Sequence, residues 1–265
     1  MYRLDREEFV QSPYIFLWST LGFQAGFINA FGFLACGRYV SHVTGFGTQI
    51  GMALGANNLL FAIELLGFPL SFIMGAFVSS FLTIARLERN EAPWYGLITA
   101  LLPFTISILL FFGINGYFGI FGEPPLLAHD FALLFLLSFV CGMQNGCFAT
   151  LTKGQIRTTH LTGISTDIGT DFARMWFGKL SANEYTLTKK TNISRIATFS
   201  AFTAGSVLSV LVSKHFTYMA LTVPLITALG VCIAVRSIHL KMDVRFKRAL
   251  KKAKQIKDLE VAKTA

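Results

Sequence analysis

The chain has 265 residues, of which 53% are hydrophobic and only 14% are charged. Soluble domains carry about a quarter charged residues to cover their surface, so this composition argues against a soluble enzyme, a disordered protein and a disulfide scaffold. The net charge of +9 does not indicate a nucleic-acid-binding face, because ten of the 23 basic residues lie within Arg236–Lys263. The composition predicts an all-α polytopic membrane protein with a basic tail.

Six apolar stretches are long enough to cross a bilayer, whose hydrocarbon core requires about 20 residues of helix. The predicted spans are Tyr14–Cys36, Leu59–Ala85, Trp94–Phe118, Phe131–Leu151, Ile193–Lys214 and Tyr218–His239. Two further stretches, Phe46–Ala56 and Ile164–Leu180, have helical apolar spacing but are too short or too polar to cross alone. We expect these two to be half-helices or interfacial helices.

The distribution of basic residues predicts the orientation of the spans. If the N-terminus lies inside, 21 of the 23 Lys and Arg residues fall on the inner side, and only Arg38 and Lys214 fall outside. Lys and Arg are retained in the cytoplasm during insertion, so both termini are predicted to be cytoplasmic. The predicted segments are a cytoplasmic N-terminus (1–12), a first membrane repeat (13–118), an external loop (119–128), a second membrane repeat (129–240) and a basic cytoplasmic tail (241–265). The tail is expected to touch anionic lipid headgroups, and no nucleic-acid partner is expected.

Two parts of the chain resemble each other. His42–Gly51 and His160–Gly169 share six of ten residues in the pattern H-x-T-G-x-x-T-x-I-G, and upstream Gly22–Gly26 and Gly142–Gly146 share G-x-Q-x-G. A unit of three spans ends on the opposite side of the membrane from its start. If it is repeated once, the second copy is therefore inverted. The sequence therefore predicts a three-plus-three inverted repeat with two short half-helices, a plan that is common among secondary transporters and channels.

The stretches GFINAFGF…GRYVSHVTG and CGMQNGCFATLTKGQIRTTHLTGISTDIGTD resemble the YoaK-type integral membrane proteins of bacteria, the family called domain of unknown function 1275. The resemblance covers about residues 13–240. It implies a polytopic protein of the bacterial inner membrane and supplies no substrate. Carried over by position, the signatures fall on Asn29, Arg38, His42, Thr44, Gly45, Gln144, Asn145, Arg157, His160, Thr162, Gly163, Thr166 and Asp167.

The polar residues of these motifs are the candidate site. Thr44 and Thr162 are predicted N-caps, each just ahead of a half-helix. If those helices begin within the membrane, their free N–H groups and positive dipole ends favour an anionic or polar group; the alternative is two ordinary capped interfacial helices. The predicted substrate-binding residues are Gln24, Asn29, His42, Thr44, Gly45, Thr48, Gln144, Asn145, Arg157, His160, Thr162, Gly163, Thr166 and Asp167.

Other residues of the motifs have more than one interpretation. The mid-span amides either bond another helix or line a polar path. His42 and His160 either relay protons or fix a loop, and no metal or other cofactor is expected, because two His on opposite sides of a bilayer do not provide the ligands. Small residues four apart predict close helix packing at Gly22/Gly26, Gly142/Gly146 and Gly51/Gly55.

The function predicted from these features is a transporter or channel for an unidentified small polar solute. The alternative is a membrane enzyme or accessory protein that acts on lipid headgroups at the cytoplasmic face, around Arg157 and His160. No catalytic motif of a known hydrolase or nucleotide-binding enzyme occurs in the sequence. The depth of the half-helices separates the two: a transporter requires both near the membrane midplane, and an enzyme requires one cluster open to one surface.

Overall fold

The computed structural model describes residues 3–89, 91–123, 128–155, 158–238 and 240, and this part of the chain is helical without any strand. The helices are α1 (Arg6–Phe9), α2 (Ser12–Cys36), α3 (Val43–Gly55), α4 (Leu59–Glu88), α5 (Tyr95–Ile114), α6 (Ala128–Leu151), α7 (Leu161–Phe177), α8 (Ala182–Phe216) and, after a 3-10 turn (Thr217–Leu221), α9 (residues 222–238). The predicted all-α class is therefore confirmed for the described residues. The basic tail 241–265 lies outside them.

Four helical segments are long and apolar enough to cross a membrane: Leu59–Glu88, Tyr95–Ile114, Phe131–Leu151 and Ala182–Ile238. The last segment contains both α8 and α9, which are separate helices because Thr217 adopts φ 47° and ψ −123° between them. Helix α2 has 25 residues but is not among the four segments. Its amide side chains lower its hydropathy.

The outer surfaces of the long helices are apolar. Large hydrophobic side chains project from α4, α5, α8 and α9, as Phe77, Phe104, Leu211 and Ile226 illustrate, each more than half exposed. An apolar surface of this extent is typical of contact with lipid. The structure thus supports the prediction of membrane helices.

Helix α2 packs along α8, and α4 packs along α6; among helices α1–α8 these are the two most extensive contacts. In the first pair, a Cβ on Gly22 would approach the carbonyl oxygen of Thr198 to 2.7 Å, and one on Gly26 would overlap that of Phe202. The contacts advance in the same direction along both helices, so α2 and α8 are parallel. Only glycine permits this backbone approach.

The second pair repeats this arrangement. A Cβ on Gly142 of α6 would overlap the carbonyl oxygen of Phe72 in α4, and one on Gly146 would lie 2.8 Å from that of Ala76. The packing predictions for Gly22/Gly26 and Gly142/Gly146 are therefore confirmed. The prediction for Gly51/Gly55 is wrong for the described part of the chain, where no atom lies within 4 Å of a Cβ built on Gly51 or Gly55.

The two helix pairs run in opposite directions. Trp18 near the start of α2 makes an edge contact with Phe148 near the end of α6, at 6.0 Å between ring centroids. Ser138, ten residues before Phe148 in α6, donates a hydrogen bond to the carbonyl of Val40, just beyond the end of α2. The α2/α8 pair is therefore antiparallel to the α4/α6 pair, and different segments of the chain meet at the two ends of the bundle.

At one end lie the N-terminal segment, the residues after α6 and the start of α8. Lys153 Nζ lies 2.7 Å from Asp5 Oδ1, and the hydrogen bond and charge of Lys153 lower the pKa of the Asp5 carboxyl. Arg6 donates a hydrogen bond of 3.4 Å to Thr188 of α8. These contacts tie together segments that the charge distribution assigns to the same side.

At the opposite end lie the end of α2, the loop after α5 and the 3-10 turn. The N–H of Gly122 donates to the carbonyl of Ala35 over 3.0 Å. The hydroxyl of Tyr218 donates to the carbonyl of Phe118 over 3.0 Å. This end therefore holds residues 119–123, the described start of the loop that was predicted to be external.

Candidate functional site

One cavity of about 830 Å³ is lined by residues from both halves of the chain. The beginnings of α3 and α7 line it together with Phe72 of α4 and Phe202 of α8, both near the middle of long helices. Six of the predicted site residues line this cavity: Asn29, His42, Thr44, Asn145, His160 and Thr162. The two H-x-T-G motifs, 118 positions apart in the sequence, thus share one space in the fold.

Asn29 fixes the loop that leads into α3. Its Oδ1 accepts hydrogen bonds from the N–H groups of Val40 and Ser41, both at 3.1 Å, and from the Ser41 hydroxyl at 2.9 Å. Three donors on one amide oxygen leave the loop little freedom. The side chain therefore holds the backbone immediately before the half-helix.

Asn145 fixes the loop that leads into α7 in the same manner. Its Oδ1 accepts from the N–H of Thr158 at 3.1 Å and from the N–H of Thr159 at 3.3 Å. Its Nδ2 donates to the Thr159 hydroxyl. Two amides on different helices thus make matching contacts with the two loops.

His42 and His160, and not the threonines, are the N-cap residues of the half-helices. Helices α3 and α7 begin at Val43 and Leu161, so the prediction that Thr44 and Thr162 are N-caps is wrong. His favours caps less than Thr does, and the sequence prediction therefore chose the wrong residue. The side chain of neither His makes a capping hydrogen bond.

Each His ring instead lies over the glycine of its own motif. A Cβ on Gly45 would lie 2.9 Å from His42 Nδ1, and one on Gly163 would lie 2.5 Å from His160 Nδ1. Gly45 and Gly163 do not line the cavity themselves. Their role in the motif is to leave room for the imidazole.

The start of each half-helix presents backbone donors. The first intrahelical bonds run from Phe46 to His42 and from Ile164 to His160, both at 3.2 Å. The N–H groups ahead of them have no acceptor within the helix, and the positive ends of the helix dipoles lie at the same place. Among the described residues, no Asp, Glu, Lys or Arg lines the cavity. Apart from the two helix ends, the described lining therefore offers only uncharged amides, hydroxyls and imidazole atoms.

The remaining predicted residues lie elsewhere. Gln144 is buried, and its Nε2 donates to the Leu21 carbonyl at 3.1 Å and the Thr158 hydroxyl at 2.8 Å. Gln24 is also buried and accepts from the Thr227 hydroxyl of α9 at 3.3 Å. The mid-span amides thus face the protein interior as predicted, and the two glutamines bond other segments away from the cavity.

Thr48 and Thr166 lie one turn beyond the cavity, and their hydroxyls donate to the carbonyls of Thr44 and Thr162 in the preceding turn. Both side chains are exposed. Arg157 lies outside the described residues.

Asp167 belongs to a charged cluster between α7 and α8 that the sequence did not predict. Arg195 of α8 is buried, and its guanidinium contacts Asp171 at 2.7 Å and Asp167 at 3.0 Å. Arg195 also lies 3.4 Å from Asn192 Oδ1. The cluster joins α7 to α8, and none of its residues lines the cavity.

Ser41 and Thr159 also line the cavity and were not among the predicted residues. Each precedes the His of its motif, so the repeated pattern is [ST]-H-x-T-G. The Ser or Thr that precedes each His was therefore the sequence signal that could have identified Ser41 and Thr159 as lining residues. Among the described residues, no three His, Cys, Asp or Glu side chains are grouped to hold a metal ion.

Comparison with known proteins identifies a family and no closer relative. No match was found among curated proteins or among solved structures. The model of one family matches residues 17–234, which is most of the chain and includes both H-x-T-G motifs. The chain therefore belongs to the DUF1275 family of proteins of unknown function.

Proposed function

We propose that this chain is a six-span membrane protein that passes a small polar solute through the cavity between its two half-helices. The observation that carries the proposal is that both half-helix beginnings line one cavity with residues from the middle of α4 and α8. A site near the middle of two long helices is suited to alternating or continuous access from both sides. The proposed spans are α2, α4, α5, α6, α8 and α9.

The glycine contacts support an inverted repeat of α2–α5 and α6–α9. The matching contacts in the two helix pairs are Gly26 with Phe202, Gly205 with Phe23, Gly142 with Phe72 and Gly75 with Phe139. In this register Asn29 corresponds to Asn145, in agreement with their hydrogen bonds. This register pairs Gly26 with Gly142. The G-x-Q-x-G alignment instead pairs Gly26 with Gly146, which lies one helical turn later.

Burial along α4 and α8 supports the same repeat. Residues that correspond in this register are buried in both helices, namely Ala62 and Asn192, Leu65 and Arg195, Phe68 and Thr198, Gly75 and Gly205, Ser79 and Ser209, and Thr83 and Ser213. On the half-helices the corresponding buried pairs are Phe46 with Ile164 and Ala53 with Asp171. Six of these eight pairs differ in residue type and are nevertheless buried at corresponding positions, which favours a shared fold over local sequence similarity.

The proposed topology places both termini in the cytoplasm of a bacterium and the loop 119–128 outside. The segments that meet at each end of the bundle are those that the 21-to-2 distribution of basic residues assigns to one side. The proposed partners are therefore the lipid bilayer, and anionic headgroups for residues 241–265.

The chemistry of the cavity favours a solute with hydrogen-bond acceptors. Two helix N-termini supply N–H donors and partial positive charge, and the imidazoles of His42 and His160 add nitrogen atoms that form hydrogen bonds. None of the described residues that line the cavity is a carboxylate that could attract a cation. A small neutral or anionic solute with carboxylate or carbonyl oxygens fits these groups best.

The lipid-headgroup alternative receives no support from the described residues. It requires one charged cluster open to one membrane surface, around Arg157 and His160. His160 instead lines the same cavity as His42 of the other half. The solute path is therefore the function that we propose.

Flux through purified protein tests the proposal. Vesicles containing the wild-type chain are mixed with acetate, glycine, urea, glycerol or choline, and solute influx is followed by light scattering. We expect influx of at least one carbonyl-containing solute above protein-free vesicles, and no influx of choline. Thr162→Val should reduce this influx at least tenfold, because it removes a hydroxyl from the cavity without opening a void.

Thr203→Val is the matched control, since Thr203 is exposed on α8 and bonds only its own helix, at the Phe199 carbonyl. It should retain wild-type influx. Wild-type vesicles that pass none of the solutes, or a Thr162→Val variant that passes them at the wild-type rate, would contradict the proposal.

A further inference from the structure

Two smaller cavities lie beside the cavity at the beginnings of the half-helices. The first, of about 80 Å³, shares Tyr39 and His42 with that cavity, and we call it the inner side cavity. The second, of about 340 Å³, shares Gly37 and Arg38 with the inner side cavity, and we call it the outer side cavity. The shared residues place the three cavities in a row.

The outer side cavity lies at the end of the bundle that holds residues 119–123. Its lining includes Cys36, the last residue of α2, and Phe61 in the first turn of α4. At the same end of the bundle, the N–H of Gly122 donates to the carbonyl of Ala35. The row of cavities therefore leads from this end to the beginning of α3, which in the proposed topology is a route from the outside.

Arg38 stands where the two side cavities meet, and its guanidinium is held in one orientation. Its Nη1 donates a hydrogen bond of 2.8 Å to Gln49 Oε1, and its guanidinium carbon lies 5.3 Å from the centroid of the Phe61 ring. Gln49 belongs to α3 and Phe61 to α4, so both helices orient the group. A guanidinium has five N–H donors, and among the described residues Gln49 takes only one of them.

Glu64 adds the opposite charge to the outer side cavity. It lies in the second turn of α4 and lines this cavity together with Arg38. Among the described residues, Glu64 has no hydrogen-bond or ion-pair partner, and the neighbouring exposed side chains of Leu60 and Ile63 are apolar. A carboxylate on the apolar part of a membrane helix is costly and typically marks a functional site.

We propose that the outer side cavity binds a small zwitterion, with its anionic oxygens on Arg38 and its ammonium group on Glu64, and that the inner side cavity leads it to the half-helices. This inference rests on the proposed function, whose solute it narrows to a zwitterion. Opposite charges in one cavity attract both ends of a zwitterion, whereas an anion or a cation is attracted by one residue and repelled by the other. The volume of the cavity lies in the range of small-molecule sites.

Two sources can supply this chemistry. One is a free amino acid on the external side, and the other is the phosphoethanolamine headgroup of a lipid. The inner side cavity favours the free amino acid, because it continues from Arg38 to His42, whereas a lipid headgroup remains at the membrane surface.

Protection of a cysteine in the outer side cavity measures binding. Phe131 of α6 lines this cavity, and Phe131→Cys is reacted with a small membrane-impermeant thiol reagent in phosphatidylglycerol vesicles. The unmodified chain is the blank for its native cysteines. Glycine at about ten times its Kd should slow the reaction about tenfold, since only that fraction of the sites stays empty. Acetate and methylammonium, which each carry one of the two charges, should protect far less at the same concentration.

Two variants show whether both charges are needed. Arg38→Gln and Glu64→Gln, each combined with Phe131→Cys, should abolish the protection by glycine. Protection that persists in either variant, or equal protection by acetate and glycine, would overturn the inference. So would protection by added phosphatidylethanolamine without glycine, which would assign the cavity to a lipid.

Arg86→Gln is the matched control. Arg86 also lies over an aromatic ring, at 4.4 Å from the centroid of Trp94, but it lines none of the three cavities. Protection by glycine should therefore be unchanged in this variant.

The kinetics of influx provide a second measurement that does not need the Phe131→Cys change. Arg38→Gln should raise the KM for glycine and for acetate about tenfold, because it removes hydrogen bonds to a charged group. Glu64→Gln should raise the KM for glycine alone. If Arg38 only held α3 through Gln49, its loss would lower the maximal influx of every solute, including urea, and that result would overturn the inference.

The two proposals fail differently. If glycine protects Phe131→Cys while wild-type vesicles pass no solute, the proposed function fails and the binding site stands. If glycine enters wild-type vesicles and neither Arg38→Gln nor Glu64→Gln changes its KM, the binding site fails and the proposed function stands.

Discussion

The two half-helices are held against their neighbours by opposite kinds of contact. Between α3 and α4 the junction is apolar: Phe46 stacks on Phe68 with 4.5 Å between ring centroids, and Ala53 and Leu65 are buried beside them. Between α7 and α8 the junction is ionic, with Arg195 bound to Asp171 at 2.7 Å. In the proposed repeat Ala53 corresponds to Asp171, and Leu65 to Arg195.

The comparison teaches that the geometry of the junction does not require charge. A buried ion pair is often no more stabilising than apolar residues of similar volume, whereas removal of one partner is strongly destabilising. The apolar contact between α3 and α4 thus shows how the contact between α7 and α8 could be made without charged residues. The position of α7 depends on both charged partners, and the position of α3 does not.

The largest expected effect comes from breaking the ionic junction. Arg195→Leu leaves the Asp171 carboxylate buried without its closest cation and should lower the free energy of unfolding by about 3–5 kcal/mol. Chemical unfolding in mild detergent measures the loss. Arg174→Leu is the control, because the Arg174 side chain is 52% exposed and lies 3.6 Å from Asp171, so a loss of less than about 1 kcal/mol is expected. Equal losses for the two variants would refute the buried role of Arg195.

A smaller effect is expected at the glycine contacts, which the two halves share. Gly26→Ala and Gly142→Ala each force a methyl group against a carbonyl oxygen of the neighbouring helix, and each should lose about 1–3 kcal/mol. Because the contacts correspond, the two losses should be similar. Thermal unfolding measures them, and a loss at only one position would break the proposed register.

The smallest effect is expected when the ionic junction is converted to the apolar one. Arg195→Leu, Asp171→Ala and Asp167→Gln together install the residues at the corresponding positions Leu65, Ala53 and Gln49. No buried charge is then left unpaired, so stability should return to within about 1 kcal/mol of the wild type. The same unfolding assay applies, and a triple variant as unstable as Arg195→Leu alone would show that the two junctions are not equivalent.

The positions of the long helices were predictable because apolar length is a local property of the sequence. Each predicted span lies over an observed helix, and Leu59 and Leu151 were correctly predicted as ends. The half-helices were predicted to begin at Phe46 and Ile164, but they begin three residues earlier in both cases, because polar residues in the first turn carry no apolar periodicity.

The site was harder to predict because it depends on contacts between distant segments. The H-x-T-G repeat identified His42 and His160, but nothing in its spacing distinguishes Asn145, which holds a loop at the cavity, from Gln144 beside it, which faces away. Arg195 lies 24 residues from Asp171, on another helix, so its pairing was invisible to a local pattern. Which polar side chains meet at the site therefore depends on how the helices pack, and residue type alone does not reveal it.

The central claim, that the space between the half-helix beginnings is the solute path, is tested most directly by blocking it. Vesicles containing Val43→Cys, at a position that lines the cavity at the start of α3, are assayed for influx of the transported solute before and after reaction with a small charged thiol reagent, so that each protein sample is its own reference. The account predicts that modification removes most of the influx, whereas Thr203→Cys and the wild type keep theirs. Unchanged influx through fully modified Val43→Cys would contradict the claim.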